Sequence, residues 1–377
     1  MSDAMPLDGI RVLEFAHAMA GPFCGGLLGD FGAEVIKIER AGSGDSLRRM
    51  GPEGGKSLWF TVTSRNKRSV EVDLADPSDN QYVKELVESS DVIVENYRPG
   101  ALEEYGLGWD DVEKINPRLV MLRISGFGRG GPYSDRPGFG KIAEAFSGAT
   151  NITGYKDAPP VHPGYSLADL ITGLYGAWGV MLALFEREHS GKGQMIDLGI
   201  YDGLFRMLEW QIPFFEKLGI DAERNGASFP FAGAFVTEIC PANDDTFVVV
   251  SAATTTTIEN LIAFLRSEGE YTLETSSSVE AAAALRRWVA KHSSDDAIKR
   301  LTDVRVVTGR VFKPSDLAAD PHINARGSLV PVETEEYGTV RMPAPVPNLM
   351  RTPGRIRWAA PKLGQDNGKI DLQGGKK

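Results

Sequence analysis

Asp169 opens a long apolar segment that runs to Phe185, and a stretch broken by Pro159, Pro160, Pro163 and Gly164 precedes it. A carboxylate placed where a loop becomes a helix stands beside the positive end of the helix dipole, which favours its ionised form. The pattern therefore predicts an aspartate ionised at neutral pH and aimed into a cleft, as a covalent carboxylate nucleophile requires. The same position also suits a plain N-cap, a common use of Asp. The local sequence leaves both readings open. Glu144, in a helix just after Phe139, is a second carboxylate that could face such a cleft. His162 in its Pro-rich loop reads as incidental, Cys24 as packing, and Asp197 and Asp202 as structural residues of a strand-to-helix turn.

Two basic stretches suggest an anionic ligand. Arg40 closes a strand and is followed by a Gly-containing loop carrying Arg48 and Arg49; Ser64-Arg65-Asn66-Lys67-Arg68-Ser69 opens directly into another strand. Arg and Lys favour phosphates through charge-assisted hydrogen bonds, although a short basic cluster is equally a solvated face. No Gly-x-Gly-x-x-Gly follows the first strand and no Gly-x-x-x-x-Gly-Lys-Ser/Thr occurs, which disfavours a nicotinamide enzyme or an NTPase. The formal net charge of -10 lacks the basic footprint of a nucleic-acid binder. Two cysteines and 5 His without ligand spacing predict neither a metal site nor a disulfide framework. The N-terminus does not read as a signal peptide. The apolar run 174–185 reads as too short to span a bilayer. The expected compartment is the reducing cytoplasm, with no membrane partner.

The elements that must position these groups alternate. Strands are predicted at 11–15, 34–39, 69–74, 91–96, 119–124 and 194–198, with helices at about 22–31, 77–89, 169–188 and 201–218. Such alternation predicts an α/β fold, a Rossmann-like, mainly parallel sheet covered on both faces, with ligands outside the carboxyl ends of its strands. The aromatic stripe Phe205, Trp210, Phe214 and Phe215 is expected to be packing. From about 225 the texture changes to one strand at 246–251 and helices near 255–267, 279–293 and 295–302. The expected organisation is a large domain over 1–220, completed by about 328–377, and a small α+β domain over 225–327. The tail 374–377 is expected to be mobile.

Several blocks resemble the class III CoA-transferases, the family that includes formyl-CoA transferase, carnitine CoA-transferase and α-methylacyl-CoA racemase. They include Pro6-Leu7-Asp8-Gly9-Ile10-Arg11-Val12-Leu13-Glu14-Phe15, Gly32-Ala33-Glu34-Val35-Ile36-Lys37-Ile38-Glu39-Arg40, Asn66-Lys67-Arg68-Ser69 and Asp91-Val92-Ile93-Val94-Glu95-Asn96-Tyr97-Arg98-Pro99-Gly100. Asn116-Pro117-Arg118-Leu119, Gly130-Gly131-Pro132-Tyr133, Gly191-Lys192-Gly193-Gln194 and Ala319-Asp320-Pro321-His322 continue the match in order.

The resemblance implies an acyl-CoA:carboxylate CoA-transferase with Asp169 as covalent nucleophile and a Gly-rich loop supplying amides to the oxyanion. It implies coenzyme A or acyl-CoA as substrate, with no permanently bound cofactor, and an interlocked homodimer. It implies CoA contacts from His17, Ala18, Arg40, Leu74 (under the adenine), Asn96, Tyr97 and Ala101. Formyl-CoA transferases carry Tyr where this chain has Phe139, and a Gly-rich lid that Asn225-Gly226-Ala227-Ser228-Phe229-Pro230 lacks; both argue against formyl or oxalyl substrates. The racemases use a His at the Phe139 turn, and Phe cannot shuttle a proton, so transfer is favoured over racemisation. The alternatives are an acyl-CoA racemase and a CoA-binding protein without turnover.

Overall fold

The computed structural model describes residues 4–52, 56–228, 235–274 and 277–374. Phe229 and Pro230, in the segment expected to lead into the small domain, and the tail beyond Gly374 lie outside the described residues. The chain divides into two compact units, Met1–Ser147 with Pro163–Leu208 and Ala325–Lys377, and Gly148–His162 with Glu209–Asn324. Residues 148–162 and 209–220, expected in the large domain, thus fall with the second unit.

The first unit is built on six parallel strands: β1 (Arg11–Phe15), β2 (Glu34–Arg40), β3 (Lys67–Val72), β4 (Val92–Glu95), β5 (Val120–Ser125) and β6 (Met195–Gly199). Their order is β3-β2-β1-β4-β5-β6. The order reverses between β1 and β4, which opens a crevice at their carboxyl ends. Val12, Leu13, Val35, Ile36, Ile93, Met121 and Leu122 are all buried, as near-continuous apolar strands covered on both faces must be. The helices of this unit include α1 (Ala20–Asp30), α2 (Leu58–Thr63), α3 (Pro77–Glu88), α4 (Trp109–Ile115) and α5 (Gly140–Phe146). A single turn, α6 (Ala149–Ile152), belongs to the second unit; α7 (Leu167–Ser190) and α8 (Asp202–Met207) return to the first. α3 starts under Asp76, whose side chain accepts from Ser78 N and Asp79 N, with Pro77 at its first position.

α7 crosses α1 very closely. A Cβ on Gly173 would stand 2.7 Å from the Ala20 carbonyl oxygen, so only glycine permits the approach. α7 has 24 residues and is long and apolar enough to cross a membrane, which the shorter run 174–185 did not suggest. Its contacts with α1, α5, α8, β5 and β6 make it the central helix of the unit. Leu174, Trp178, Leu182 and Phe185 on its remaining surface are exposed.

Several boundaries differ from the sequence reading, two of them for a physical reason. β3 begins two residues early because Lys67 and Ser69 are buried polar residues with internal partners. The helix expected over 201–218 is two, α8 and α9 (Gln211–Leu218), because Pro213 has no N–H to donate and is tolerated only in a first turn. Its aromatic stripe is not plain packing, since Phe205 and Phe215 are exposed.

The second unit carries an antiparallel sheet of β7 (Val236–Pro241), β8 (Phe247–Ala252) and β9 (Val307–Arg310). Helices α10 (Thr255–Ser267), α11 (Ser278–Val289) and α12 (Ser294–Asp303) cover it around Trp288, Leu285, Val248 and Leu301. Only β8 of these strands was foreseen. The chain then returns to the first unit through a hairpin, β10 (Leu329–Thr334) and β11 (Gly338–Pro343).

Charged groups lie inside the parallel sheet. Glu14 is fully buried between Lys37 Nζ at 2.8 Å and Lys67 Nζ at 2.7 Å. Lys37 also meets Asp45 at 2.8 Å and the Ala16 carbonyl at 2.7 Å, and Lys67 meets the Pro22 carbonyl at 2.6 Å. Burial alone would discharge Lys37, but Glu14 and Asp45 outweigh it and raise its pKa above the ordinary lysine value. Removing one partner of such a set leaves an uncompensated buried charge. Glu14→Leu is expected to cost about 3–5 kcal/mol in urea denaturation, whereas Lys114→Ala, which breaks an exposed pair with Asp111, should cost under about 1 kcal/mol. Equal costs would show that the buried set contributes no more than a surface pair.

Candidate active site

Asp169 lies in the first turn of α7, three residues after the N-cap Ser166. Its carboxylate makes no hydrogen bond among the described residues, so the N-cap reading is not the one the fold adopts. The side chain is half-buried. Gly140, the first residue of α5, abuts it so closely that a Cβ there would collide with Asp169 Oδ2. Gly173 sits one turn further along the same face of α7, against Ala20. The close crossing therefore places Asp169 beside the start of α1 and the loop after β1.

The helix terminus does not dominate the charge of Asp169, contrary to the sequence expectation. Burial, followed by the neighbouring Glu144, pushes its carboxyl up to about 6, while Lys141 pulls the other way. At neutral pH the carboxylate form still prevails, and a carboxylate stripped of water is a stronger nucleophile than a solvated one. Glu144, expected to face the cleft, is fully buried and paired with Lys141 Nζ at 3.1 Å. Phe139 precedes Gly140 and is 75% exposed.

A second set of residues gathers at the crevice between β1 and β4. His17, Arg40, Leu74, Tyr97 and Ala101 line one cavity of about 690 Å³, with Asp73 and Arg98 among their neighbours. Asn96 and Ala18, also expected at the ligand, are not among the residues lining this cavity and bear on it through the loop that carries His17. The Asn96 amide accepts from His17 N at 2.9 Å and donates to the His17 carbonyl at 2.8 Å, which ties the loops after β1 and β4 across the switch point. Ala18 has φ 60, a left-handed conformation that costs a non-glycine residue energy. Asp45 offsets that strain by accepting from Ala18 N at 3.0 Å. The His17 ring packs on Tyr97 with centroids 5.6 Å apart, and burial lowers its pKa, which favours the neutral ring.

The basic residues separate into two groups. Arg40 is exposed at the cavity and its guanidinium has no protein partner among the described residues. The others are committed internally: Arg48 to Glu39, Arg65 to Asp30, Lys67 to Glu14, and Arg68 to Glu34 and Asp366. Arg49 donates to the Ser43 carbonyl at 2.5 Å. The cluster at 64–69 is therefore part of the scaffold and not a phosphate site. Asp197 and Asp202 accept from Arg129 N and Gly199 N, as expected of structural residues. Cys24 is buried and its thiol is pushed up by burial and by Glu14. His162 is exposed in the second unit, with its ring nitrogen 3.3 Å from Thr150. Sequence reading missed Asp45 and Lys141. The only available signals were the capping position of Asp45 and the i,i+3 spacing of Lys141 and Glu144. Among the described residues no group of three His, Cys, Asp or Glu side chains could hold a metal ion.

The chain matches CoA-transferase family III over residues 7–367. It is 39% identical to the succinyl-CoA–D-citramalate CoA-transferase of Chloroflexus aurantiacus, covering 98% of this chain and 94% of that one. It is 40% identical to the beta subunit of the succinyl-CoA–L-malate CoA-transferase of the same organism, over 97% and 93%. A succinate–glutarate CoA-transferase of Agrobacterium fabrum is 31% identical over 97% and 94%. The crystal structure of a CaiB/BaiF family protein from Brucella suis superposes with a TM-score of 0.86 at 29% identity, over 97% of this chain and 98% of that chain. A match of this extent, on a parallel sheet with its cavity at the switch point, shows that the chain is a member of CoA-transferase family III.

Proposed function

We propose that the protein moves CoA from succinyl-CoA to a dicarboxylic acid through covalent intermediates on Asp169. The observation that carries this reading is a half-buried carboxylate with no hydrogen-bond partner among the described residues, one helical turn from the close crossing of α7 over α1. An Asp169 oxygen attacks the thioester carbonyl; the C–S bond breaks, leaving an aspartyl mixed anhydride and CoA thiolate. The thiolate attacks the aspartyl carbonyl, releasing the donor acid and forming an aspartyl-CoA thioester. The acceptor carboxylate displaces the thiolate to give a new mixed anhydride. Attack of the thiolate on the acceptor acyl carbonyl then yields the new acyl-CoA and frees Asp169. An activated acyl bond is kept at each stage, held first by the donor, then by the Asp169 carbonyl and last by the acceptor. Exposed Arg40 suits a CoA phosphate, Leu74 the adenine, and the His17–Tyr97 pair the cavity wall.

The choice of dicarboxylates rests on the relatives, whose names pair succinyl-CoA or succinate with citramalate, malate or glutarate. Phe139 stands where a proton-shuttling His would be needed for racemisation. The exposed apolar face of α7 supports association with a second copy of the chain. Two free, buried cysteines support a reducing, cytoplasmic compartment.

Four outcomes are expected. A panel of acyl-CoA donors against citramalate, malate and glutarate, read by mass spectrometry, should show transfer from succinyl-CoA; exchange of the α-proton of a 2-methylacyl-CoA without an acceptor would instead indicate racemisation. Asp169→Ala should lower kcat by at least about 1000-fold while CoA binding persists, and hydroxylamine with acyl-CoA should convert wild-type Asp169 to a hydroxamate. Arg40→Ala should raise KM for acyl-CoA about tenfold with kcat nearly unchanged, the size of one charge-assisted hydrogen bond; an unchanged KM would remove its phosphate role. The fourth concerns stability. A carboxyl whose folded pKa of about 6 exceeds its ordinary 3.8 destabilises the fold increasingly as pH rises through that window, and fully above it. Asp169→Asn should therefore stabilise the protein by about 1–3 kcal/mol near pH 8 and by almost nothing near pH 3.5. Thermal melts at the two pH values check the sign.

A further inference from the structure

The three N–H groups of Lys141 reach four acceptor atoms, two of them the oxygens of one carboxylate. Lys141 meets both oxygens of Glu144 at 3.1 Å, the Pro163 carbonyl at 2.9 Å and the Tyr165 carbonyl at 2.8 Å. The two carbonyls belong to the chain that leads into α7, and Tyr165 is four residues before Asp169. Gly140, next to Lys141, is pressed against the Asp169 carboxylate itself. One ammonium thus joins the first turn of α5, a buried carboxylate and the approach to the reactive helix. Accepting Asp169 as the nucleophile, we infer that Lys141 and Glu144 form a positioning pair, which fixes the Asp169 turn and balances its charge without touching substrate.

The two members act in opposite directions. The buried Glu144 carboxylate opposes ionisation of Asp169, and the Lys141 ammonium favours it. Charges on the other elements packed against α7 have their own partners. Arg123 of β5 binds Glu95 and Glu103, Asp197 of β6 binds Arg129 N, and Asp202 of α8 binds Gly199 N. On α1 the nearby titratable group is Cys24, held as a thiol by burial. On top of burial, the largest influence, the pair on α5 is therefore the set of charges that adjusts the balance. Lys141 alone would over-stabilise the carboxylate and weaken it as a nucleophile, while Glu144 alone would protonate it. Together they hold it ionised and reactive near neutrality.

The test is the acid limb of the pH–rate profile for transfer from succinyl-CoA to the best acceptor of the panel. Wild type should lose kcat/KM below about 6. Lys141→Met should move that limb up, and Glu144→Gln should move it down, each by about 0.5–1 pH unit. Lys141→Arg, which keeps charge and reach, should retain the wild-type limb. Limbs that stay in place in both charge-removing variants, or that move the same way in both, overturn the inference. A merely structural role would lower activity without opposite shifts. Should Lys141→Met fail to fold, the shift of the isosteric Glu144→Gln decides alone. Hydroxamate formation at wild-type Asp169 is read in parallel. Its absence defeats the nucleophile, whereas its presence with unmoved limbs defeats only the pairing.

Discussion

The Glu14 carboxylate shared between Lys37 and Lys67 is the interaction on which the architecture turns. It lies with no exposure at the centre of three adjacent strands, with one oxygen to each ammonium. In a low-dielectric interior such a set tolerates little displacement of any member. Lys37 extends the chain of contacts to Asp45, and Asp45 holds Ala18 in its left-handed conformation. The shape of the loop after β1, and hence of the cavity wall, is therefore set from inside the sheet. A loop anchored by buried charges can present backbone and an aromatic pair to a ligand without reorganising when the ligand arrives.

The distribution of cations follows from the same constraint. Most of the Arg and Lys residues around the sheet have carboxylate partners, and these partners come from all over the first unit: Asp30, Glu34, Glu39 and Asp366. Arg40, the last residue of β2, has none among the described residues. An unpartnered guanidinium at the rim of a cavity keeps its hydration until an anion replaces it, which suits a substrate that must bind and leave at each turnover.

The strand–helix alternation was legible because parallel strands buried on both faces are short apolar runs, and those of β1, β2, β4 and β5 stand out between polar turns. Asp169 was legible because a lone carboxylate at the head of an apolar helix is conspicuous. Its raised pKa was not, because burial, and after it Glu144 from 25 residues away, act on Asp169 only through the fold. The 64–69 cluster reads equally as a ligand site or a solvated face and is neither, for a related reason: a charge and its partner are not adjacent in sequence, and Asp366 is almost 300 residues from Arg68. Strands β7 and β9, which border β8, carry Thr, Glu, Gly and Arg among few apolar residues, so their periodicity was too weak to mark them. The break between α8 and α9 was readable from Pro213 and was overlooked in favour of the aromatic spacing.

The return of residues 325–377 to the first unit has a temporal consequence. The second unit is complete at Asn324, while the first still lacks its last segment. Asp30 and Asn66 receive Arg355 and Arg357 only from that segment, and Arg68 meets Asp366 only there. On the ribosome, the first unit thus begins before the second and is completed after it. The nascent sheet emerges with several cations and the edge of β3 uncovered until residues 325–377 have been made, an interval in which a partly made chain is exposed to wrong partners.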